Sequence, residues 1–212
     1  MSRGRLVTLE GGEGAGKSTV LAVVRERLAA HGHDVVATRE PGGTALGEAV
    51  RRLVLDPAHA GISAEAELLL MFAARAQLVR EIITPALAAG QWVLSDRYVD
   101  ASHAYQGGGR GLPSDCIGAL AAWAAPVLPD LTLLLDVPVA TGLARAGRRG
   151  DADRIEREGA PFFERVREAY RARAAAEPAR FRVIDASQPL DRVRADAAAV
   201  IDAFLAGLGE HA

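Results

Sequence analysis

One stretch near the start of the chain, residues 10–19, constrains the fold more than any other. Its sequence is EGGEGAGKST, which fits the pattern G-x-x-x-x-G-K-[ST] with Gly11, Gly16, Lys17 and Ser18. A short apolar run precedes it and a helical pattern follows. Glycines let successive backbone N–H groups converge on phosphate oxygens, and the next helix adds the positive end of its dipole. The sequence therefore predicts a strand, a phosphate-binding loop and a helix in this order.

Lysine usage singles out the same motif. Lys17 is the single lysine of the chain, and the other 24 of its 25 basic residues are arginines. An ammonium group is a compact point charge, so we expect Lys17 to reach the outer phosphates and the Ser18 hydroxyl to bind Mg²⁺. A glycine-rich turn that binds nothing is the alternative. A dinucleotide-binding G-x-G-x-x-G motif starting at Gly12 is excluded, because it requires glycine where the chain has Lys17.

Five short apolar runs alternate with helical patterns along the 212 residues, half of which are apolar. The runs end at or near Leu9, Thr38, Ser95, Leu135 and Asp185. This alternation predicts an α/β fold with a five-stranded, mostly parallel sheet flanked by helices. We expect residues 1–212 to form one domain, because the length suits a single core of this kind.

Charge and hydropathy limit the classes of partner. The net charge is −2 with acids and bases interspersed, so the basic stripe of a nucleic-acid-binding protein is missing. The apolar runs are far too short to span a bilayer. Cys116 is the single cysteine and no apolar signal segment begins the chain, which together indicate a cytoplasmic protein. We therefore expect small-molecule partners.

Charged residues follow three of the predicted strands. In an open parallel sheet, ligands bind beyond the carboxyl ends of the strands. Asp96 is therefore a candidate second anchor for Mg²⁺, with Asp136 as the competing candidate, and Arg97 offers a planar fork for a phosphate. Arg39 and Glu40 are similarly placed, although a turn with solvated charges is the alternative for them.

A long helix is predicted after Ser63. Serine is a typical N-cap, and Glu65 and Glu67 in the first turn favour the helix dipole. Most of this helix is expected in the core. Arg75 interrupts its apolar pattern, and a buried arginine is costly unless it meets either a structural carboxylate or a ligand.

Two glycine-containing segments are predicted to be mobile. Residues 102–110 contain three consecutive glycines and are expected to form a polar, flexible loop on the ligand side. Residues 145–157 contain five arginines around two glycines, which indicates a flexible basic segment rather than a packed one. It is either a solvated charged loop or a lid, at about residues 147–160, that closes over phosphates and supplies arginines.

With these residues placed, the chain resembles bacterial thymidylate kinases over nearly its whole length. The resemblance rests on the phosphate loop and on the motifs TREPGGT from Thr38, DRY from Asp96, AYQGGGR from Ala104 and DRIE from Asp153. It implies the P-loop nucleoside-monophosphate kinase fold, usually as a homodimer. It also implies Mg²⁺-dependent transfer of the γ-phosphoryl group of ATP to dTMP, giving dTDP and ADP in dTTP biosynthesis.

The resemblance implies a role for each matching residue. Arg39 and Arg97 would hold the dTMP phosphate, with Glu13 near the sugar, and Asp96 would organise Mg²⁺ together with Ser18. ATP would be bound by the phosphate loop, that is by Gly11, Gly12, Glu13, Gly14, Ala15, Gly16, Lys17, Ser18 and Thr19. The thymine pocket would be lined by Arg75, Ser102, Tyr105, Gln106 and one of Met71 and Phe72.

Two positions distinguish this chain within the resemblance. Family members commonly present an aromatic ring to thymine four residues before the arginine that matches Arg75; here Met71 has that place, with Phe72 next to it. One branch of the family carries an arginine where this chain has Gly14, and the other places basic residues in the lid. The chain is similar to the second branch, which implies catalytic roles for the lid residues Arg149 and Arg154 beside Lys17, Asp96 and Arg97.

Three other classes of function are less consistent with the residues. A switch GTPase usually recognises its base through an N-K-x-D motif, and this chain contains no asparagine and no second lysine. A DNA-associated ATPase would need a basic face. A kinase for another nucleoside monophosphate is the remaining alternative, and only the thymine-side residues argue against it.

The Lys17→Met substitution tests the phosphate-loop assignment. We expect a folded protein whose turnover is lower by several orders of magnitude, because the charge that offsets the transferring phosphate is lost. Turnover is measured as ADP release in the presence of MgATP and dTMP. Near-normal activity of the variant would contradict the assignment.

Overall fold

The computed structural model describes residues 3–147 and 152–209. A parallel sheet forms the centre of the fold. Its strands are β1 (Leu6–Glu10), β2 (Val35–Arg39), β3 (Trp92–Asp96), β4 (Leu131–Asp136) and β5 (Phe181–Asp185). The spatial order is β2-β3-β1-β4-β5, and every neighbouring pair is parallel. The predicted α/β fold with a five-stranded parallel sheet is confirmed.

Helices connect the strands and pack on both faces of the sheet. They are α1 (Lys17–Ala30), α2 (Ala45–Leu55), α3 (Ala64–Leu78), α4 (Thr84–Ala88), α5 (Val99–Ser102), α6 (Ser114–Ala124), α7 (Val139–Ala146), α8 (Ala160–Ala176) and α9 (Leu190–Gly209). A 3₁₀ turn covers Pro57–His59, and π-helical segments cover Val79–Ile83 and His103–Gly109. Within the described ranges, none of the helices has both the length and the apolar character needed to cross a bilayer.

The central strand β1 is buried along its whole length. Val7 and Leu9 belong to the core cluster that includes α1 and α9, whereas Leu6 belongs to the cluster on the other face, with Leu78 and Ile83. Successive side chains of a strand point to opposite faces, so a strand covered on both sides is a continuous apolar run. This is why the short run before the phosphate loop is a reliable strand signal.

Amphipathic patterns place the two helices that cover one face. Val20, Val24 and Leu28 of α1 are fully buried against the sheet, as the helical spacing predicts. In α9, Val193, Ala197 and Ile201 pack in the same cluster, so this face of the helix belongs to the core.

The prediction of a flexible loop at residues 102–110 is wrong, because this segment is helical and packed. The π-helical residues 103–109 lie against α8. A Cβ on Gly108 would lie 2.7 Å from the Arg165 carbonyl oxygen, and one on Gly109 would lie 2.5 Å from the Phe162 ring. Gly108 and Gly109 therefore allow the π-helical segment to approach α8 closely. From composition alone, glycines that serve close packing cannot be distinguished from glycines that make a loop flexible.

Candidate active site

A cavity of about 240 Å³ opens at the carboxyl ends of β1, β2 and β3. The loop after β1 forms one wall. Three charged residues at the ends of β2 and β3, Glu40, Asp96 and Arg97, line the cavity as well, whereas Arg39 does not. After β1, the next two strands lie on one side of β1, and β4 then lies on its other side. Open parallel sheets bind ligands at the carboxyl ends of the strands where the strand order reverses in this way, and the cavity lies there.

The phosphate loop, residues 11–18, has a backbone that only glycine adopts readily. Gly14 and Gly16 have φ values of 68° and 90°. A Cβ on Gly14 would lie 2.0 Å from the carbonyl oxygen of Gly142, so a side chain does not fit there. Helix α1 starts at Lys17 without a side-chain cap, which leaves its first N–H groups for an anion.

Lys17 is buried at the floor of this loop. Its Nζ donates to the carbonyl oxygens of Gly11 at 3.0 Å and Gly12 at 3.1 Å. Burial, with the nearby Arg97 guanidinium, lowers the pKa of Lys17 to about 8. An ammonium in this setting gains a strong partner when a phosphate enters.

Glu13, Arg97 and Tyr105 form one hydrogen-bonded cluster on the cavity wall. The Arg97 Nη2 donates to Glu13 Oε1 at 2.6 Å and to the Tyr105 hydroxyl at 2.8 Å, and that hydroxyl donates to Glu13 at 2.9 Å. Burial alone would raise the pKa of Glu13, but the charges of Arg97 and Lys17 lower it to about 2. The carboxylate is therefore ionised at neutral pH and fixes the direction of the guanidinium.

The backbone of Arg97 is unusual, with a φ of 68° that non-glycine residues rarely adopt. Neighbouring groups hold it: its N–H donates to Leu9 O at 2.9 Å, and its carbonyl oxygen accepts from Ser95 Oγ at 2.7 Å. Glu10 accepts from the next backbone N–H, that of Tyr98, at 2.8 Å. Burial raises the pKa of Glu10 to about 8. Strain of this kind is common at functional sites.

Asp96 and Ser18 line the same cavity, so a carboxylate and a hydroxyl are available together. The Asp96 Oδ1 is buried and has no hydrogen-bond partner among the described residues. The competing candidate Asp136 does not line this cavity; it lines a smaller one with Gly11 and Gly12, and both of its oxygens accept from Arg167, at 2.6 and 3.0 Å. A carboxylate and a hydroxyl that line one cavity suit a hard cation that also binds phosphate.

Comparison with known proteins decides the family. Residues 9–197 match the family model described as thymidylate kinase. The chain belongs to the thymidylate kinase family. The thymidylate kinase of Methylococcus capsulatus is 56% identical over 208 residues, covering 98% of this chain and 99% of the relative. That of Alcanivorax borkumensis is 54% identical over 200 residues, covering 94% and 96%.

A solved structure agrees with the fold as well. The crystal structure of thymidylate kinase from Ehrlichia chaffeensis superposes with a TM-score of 0.76 at 31% identity, covering 94% of this chain and 99% of that chain. The P-loop nucleoside-monophosphate kinase fold expected from the sequence is therefore confirmed for this member of the thymidylate kinase family.

Arg75 is fully buried, and the carboxylate that it pairs with is Glu40. Its Nε donates to Glu40 Oε2 at 2.7 Å, and its two Nη atoms donate to Ser102 Oγ at 3.0 Å and to the Tyr98 carbonyl oxygen at 3.1 Å. Arg75 and Ser102 do not line the cavity; Glu40 does, and its Oε1 is buried without a partner among the described residues. Arg75 is therefore joined to the cavity through Glu40.

Met71 and Phe72 lie in different environments. Met71 lines the cavity together with Tyr105 and Gln106. Phe72 packs with Leu68 and Ile117, and its ring centroid lies 4.5 Å from the Arg75 guanidinium carbon. Between the two adjacent residues, it is Met71 that reaches the ligand space, because helical geometry turns neighbouring side chains about 100° apart.

Arg51 lines the cavity although the sequence analysis did not single it out. Its Nη1 donates to the Pro41 carbonyl oxygen at 3.2 Å. Gly47 and Val54 are buried on α2. Arg51 lies four residues after Gly47 and three before Val54, so it shares their face of the helix. An arginine on a buried helix face is a sequence signal that could have marked Arg51 as a site residue. Arg39, which was singled out, pairs with Glu48 at 3.0 Å outside the cavity.

Two findings concern the predicted lid at about residues 147–160. Arg149 lies outside the described residues. Arg154 and Ile155 are buried, so the expectation of an unpacked segment is wrong for this part of it. The Arg154 Nε donates to the Val54 carbonyl oxygen at 2.6 Å and its Nη2 donates to Glu67, which offsets the cost of burying the guanidinium. Arg154 does not line the cavity here, whereas its neighbours Asp153 and Glu156 do.

The pKa of Lys17 predicts how ligand binding depends on pH. Because the free protein loses the ammonium charge as pH rises through about 8, affinity for ATP should fall above that pH. We expect at least a roughly 10-fold weaker Kd at about pH 9.5 than at about pH 7, measured by calorimetry.

Glu10 also has a pKa of about 8 and serves as the control for this measurement. The Glu10→Gln variant cannot gain negative charge in this range, so it should still lose affinity as pH rises if Lys17 is responsible, at a somewhat lower pH because the charge of Glu10 raises the pKa of Lys17. A Kd that is constant from about pH 7 to about pH 9.5 would contradict the prediction.

Proposed function

We propose that this protein transfers the γ-phosphoryl group of ATP to dTMP, giving dTDP and ADP, as a step of dTTP biosynthesis. One observation carries the proposal: the phosphate loop with Lys17 and the guanidinium of Arg97 line the same cavity and are joined by Glu13. Donor and acceptor phosphates thus fit into one enclosure. A kinase for another nucleoside monophosphate is the alternative, and membership of the thymidylate kinase family does not favour it.

The phosphates of ATP fit the N-terminus of α1. Backbone N–H groups of the glycine-rich loop would donate to phosphate oxygens, and Thr19 would extend this cradle into the helix. The Lys17 ammonium, which donates to the carbonyl oxygens of Gly11 and Gly12, would exchange them for oxygens of the β- and γ-phosphates.

The residues present fit an Mg²⁺ ion. Ser18 and Asp96 would hold it, and the unpartnered Asp96 Oδ1 supports this choice over Asp136. When bound, such an ion neutralises phosphate charge and orients the phosphates.

The acceptor phosphate fits the Arg97 side of the cavity. Arg97 Nε is buried without a partner among the described residues, and Glu13 orients the guanidinium. Arg51 lines the same wall and adds a second positive charge. Arg39 would join them by giving up its ion pair with Glu48, which is exposed and therefore weak.

The base of the acceptor fits between Met71, Tyr105 and Gln106, which line the cavity. A polarizable thioether packs well on an aromatic ring. Arg75 would act on this pocket through the hydrogen bond that it donates to Glu40, and Ser102 through the one that it accepts from Arg75.

The chemistry needs placement and charge neutralisation rather than a general base. An oxygen of the ionised dTMP phosphate attacks the γ-phosphorus of ATP, the new O–P bond forms, and the bond to the β,γ-bridging oxygen breaks with its electron pair leaving on ADP. Lys17 and Arg97 offset the negative charge that spreads over the transferring oxygens.

We also propose that residues of about 147–160 act as a flexible lid. Arg154 would exchange Glu67 for the phosphates on closure, and Arg149 would join it. The position of Asp153 and Glu156 on the cavity wall supports this proposal, because the segment already borders the ligand space. Closure would exclude water and limit hydrolysis of ATP.

A homodimer in the cytoplasm is the proposed state. Helix α3 packs against α2 and against α6. These three helices carry exposed large apolar side chains, namely Leu46, Leu53, Leu69 and Trp123. Trp123 is 83% exposed, and apolar surface of this kind commonly marks protein contacts. The single, exposed Cys116 supports a reducing compartment.

The acceptor assignment is tested by ADP release with MgATP and, in turn, dTMP, dUMP, UMP, CMP, AMP and GMP. We expect strong turnover with dTMP, weaker turnover with dUMP and negligible turnover with the others. A preference for another acceptor would keep the donor site and overturn the thymine pocket. No acceptor-dependent release would overturn the kinase proposal.

The Met71→Ala substitution tests the base pocket. We expect the KM for dTMP to rise by about 10-fold, since a lost apolar contact costs about 1–3 kcal/mol, while the KM for ATP is unchanged. Phe72→Leu is the matched variant and should lower thermal stability without this change in KM. The reverse outcome for the two variants would show that Phe72, not Met71, contacts the base.

A further inference from the structure

Glu67 is a fully buried carboxylate that the proposed reaction uses only as the partner of Arg154 before the lid closes. It lies in the first turn of α3, one helical turn before Met71. Its Oε1 accepts from Gln106 Nε2 at 2.8 Å, and its Oε2 accepts from Arg110 Nη2 at 3.2 Å and from Arg154 Nη2. The carboxylate thus contacts one residue of the cavity wall and two arginines.

The surroundings keep Glu67 ionised. Burial alone would raise its pKa, but hydrogen bonds from Gln106 and Arg154 and the positive charge of Arg110 lower the pKa below its ordinary value. An ionised carboxylate has no proton to donate and only accepts hydrogen bonds. Its partner in the Gln106 side chain must therefore be the NH₂ group.

This contact determines which end of the Gln106 amide is free. With Nε2 engaged by Glu67, the remaining polar atom is Oε1, which is buried and has no partner among the described residues. Gln106 lines the cavity. A ligand that satisfies this oxygen must present a hydrogen-bond donor, because an unpaired buried acceptor is costly.

The requirement for a donor separates pyrimidine bases by their chemistry. Thymine and uracil carry an N–H at ring position 3, whereas cytosine has an unprotonated nitrogen acceptor there. If cytosine were bound, its ring nitrogen 3 and the Gln106 carbonyl oxygen would both be hydrogen-bond acceptors, and both would stay unpaired. Sites that leave buried polar groups unpaired in this way discriminate strongly against the wrong substrate. The orientation of one amide can therefore set the selectivity for imide bases.

We propose that Glu67 is a positioning residue that sets base selectivity, because it holds the Gln106 amide with its carbonyl oxygen free for the N3–H of the acceptor base. The inference rests on the proposed dTMP kinase function and adds a residue that does not touch the substrate. Glu67 acts through Gln106, and the positive charge of Arg110 keeps it ionised when Arg154 moves to the phosphates.

The Glu67→Gln substitution tests this role. The new amide can donate as well as accept, so the Gln106 side chain is free to turn and to present its NH₂ group to the cavity. We expect the ratio of kcat/KM for dTMP to that for dCMP to fall by about 10- to 100-fold. Because dTMP and dUMP both carry the N3–H, their ratio should stay unchanged. A purely structural role would lower the activity with all acceptors alike.

Matched controls and a second readout define the outcome. Glu65→Gln, at an exposed position two residues earlier, should leave both ratios unchanged. Inhibition of dTMP phosphorylation by dCMP is measured as well, so that the selectivity is defined even without turnover of dCMP. An unchanged selectivity for dTMP over dCMP in a folded Glu67→Gln protein would overturn the inference.

A second variant keeps the inference testable if Glu67→Gln does not fold. Gln106→Met has a similar shape but removes both polar atoms, and we expect it to lower the same selectivity for dTMP over dCMP. Unchanged selectivity in this variant would also overturn the inference. Failure of the wild-type protein to phosphorylate dTMP would instead overturn the proposed function, so the two failures are distinguishable.

Discussion

The ion pair between Glu13 and Arg97 joins the two walls of the cavity, and much of the site geometry depends on it. It links the loop after β1 to the end of β3 at 2.6 Å. Arg97 has a left-handed backbone, and the Glu13 contact gives its guanidinium a direction that would otherwise vary. The positive charges of Arg97 and Lys17 both lower the pKa of Glu13, so two cationic groups and one carboxylate meet beside the phosphate loop.

Glycine has two different physical uses in this fold. In the phosphate loop, Gly14 combines a positive φ with contact to the backbone of Gly142. At Gly108 and Gly109 the missing side chain lets a π-helical segment lie against α8. The second use positions Tyr105 and Gln106 on the cavity wall, since both belong to that segment. A packed helix holds these side chains more rigidly than a loop would.

Buried charges are paired between distant segments, and these pairs organise the acceptor side. Glu40 with Arg75 and Glu67 with Arg154 each connect a cavity-lining region to the core. Removing one partner of such a pair would leave an uncompensated buried charge. The pairs therefore act mainly by fixing geometry, which is what a site that discriminates between similar bases requires.

The local sequence determined the strands, most helices, the phosphate loop and the charged strand ends at Asp96 and Arg97, because each depends on periodicity or on a contiguous motif. It also carried the family motifs. Only the tertiary structure decided that Met71 rather than Phe72 lines the cavity and that Glu67 accepts from Gln106. These depend on which face a helix presents and on contacts between residues far apart in the chain. Packing of the whole core decides such contacts, and no local pattern encodes it.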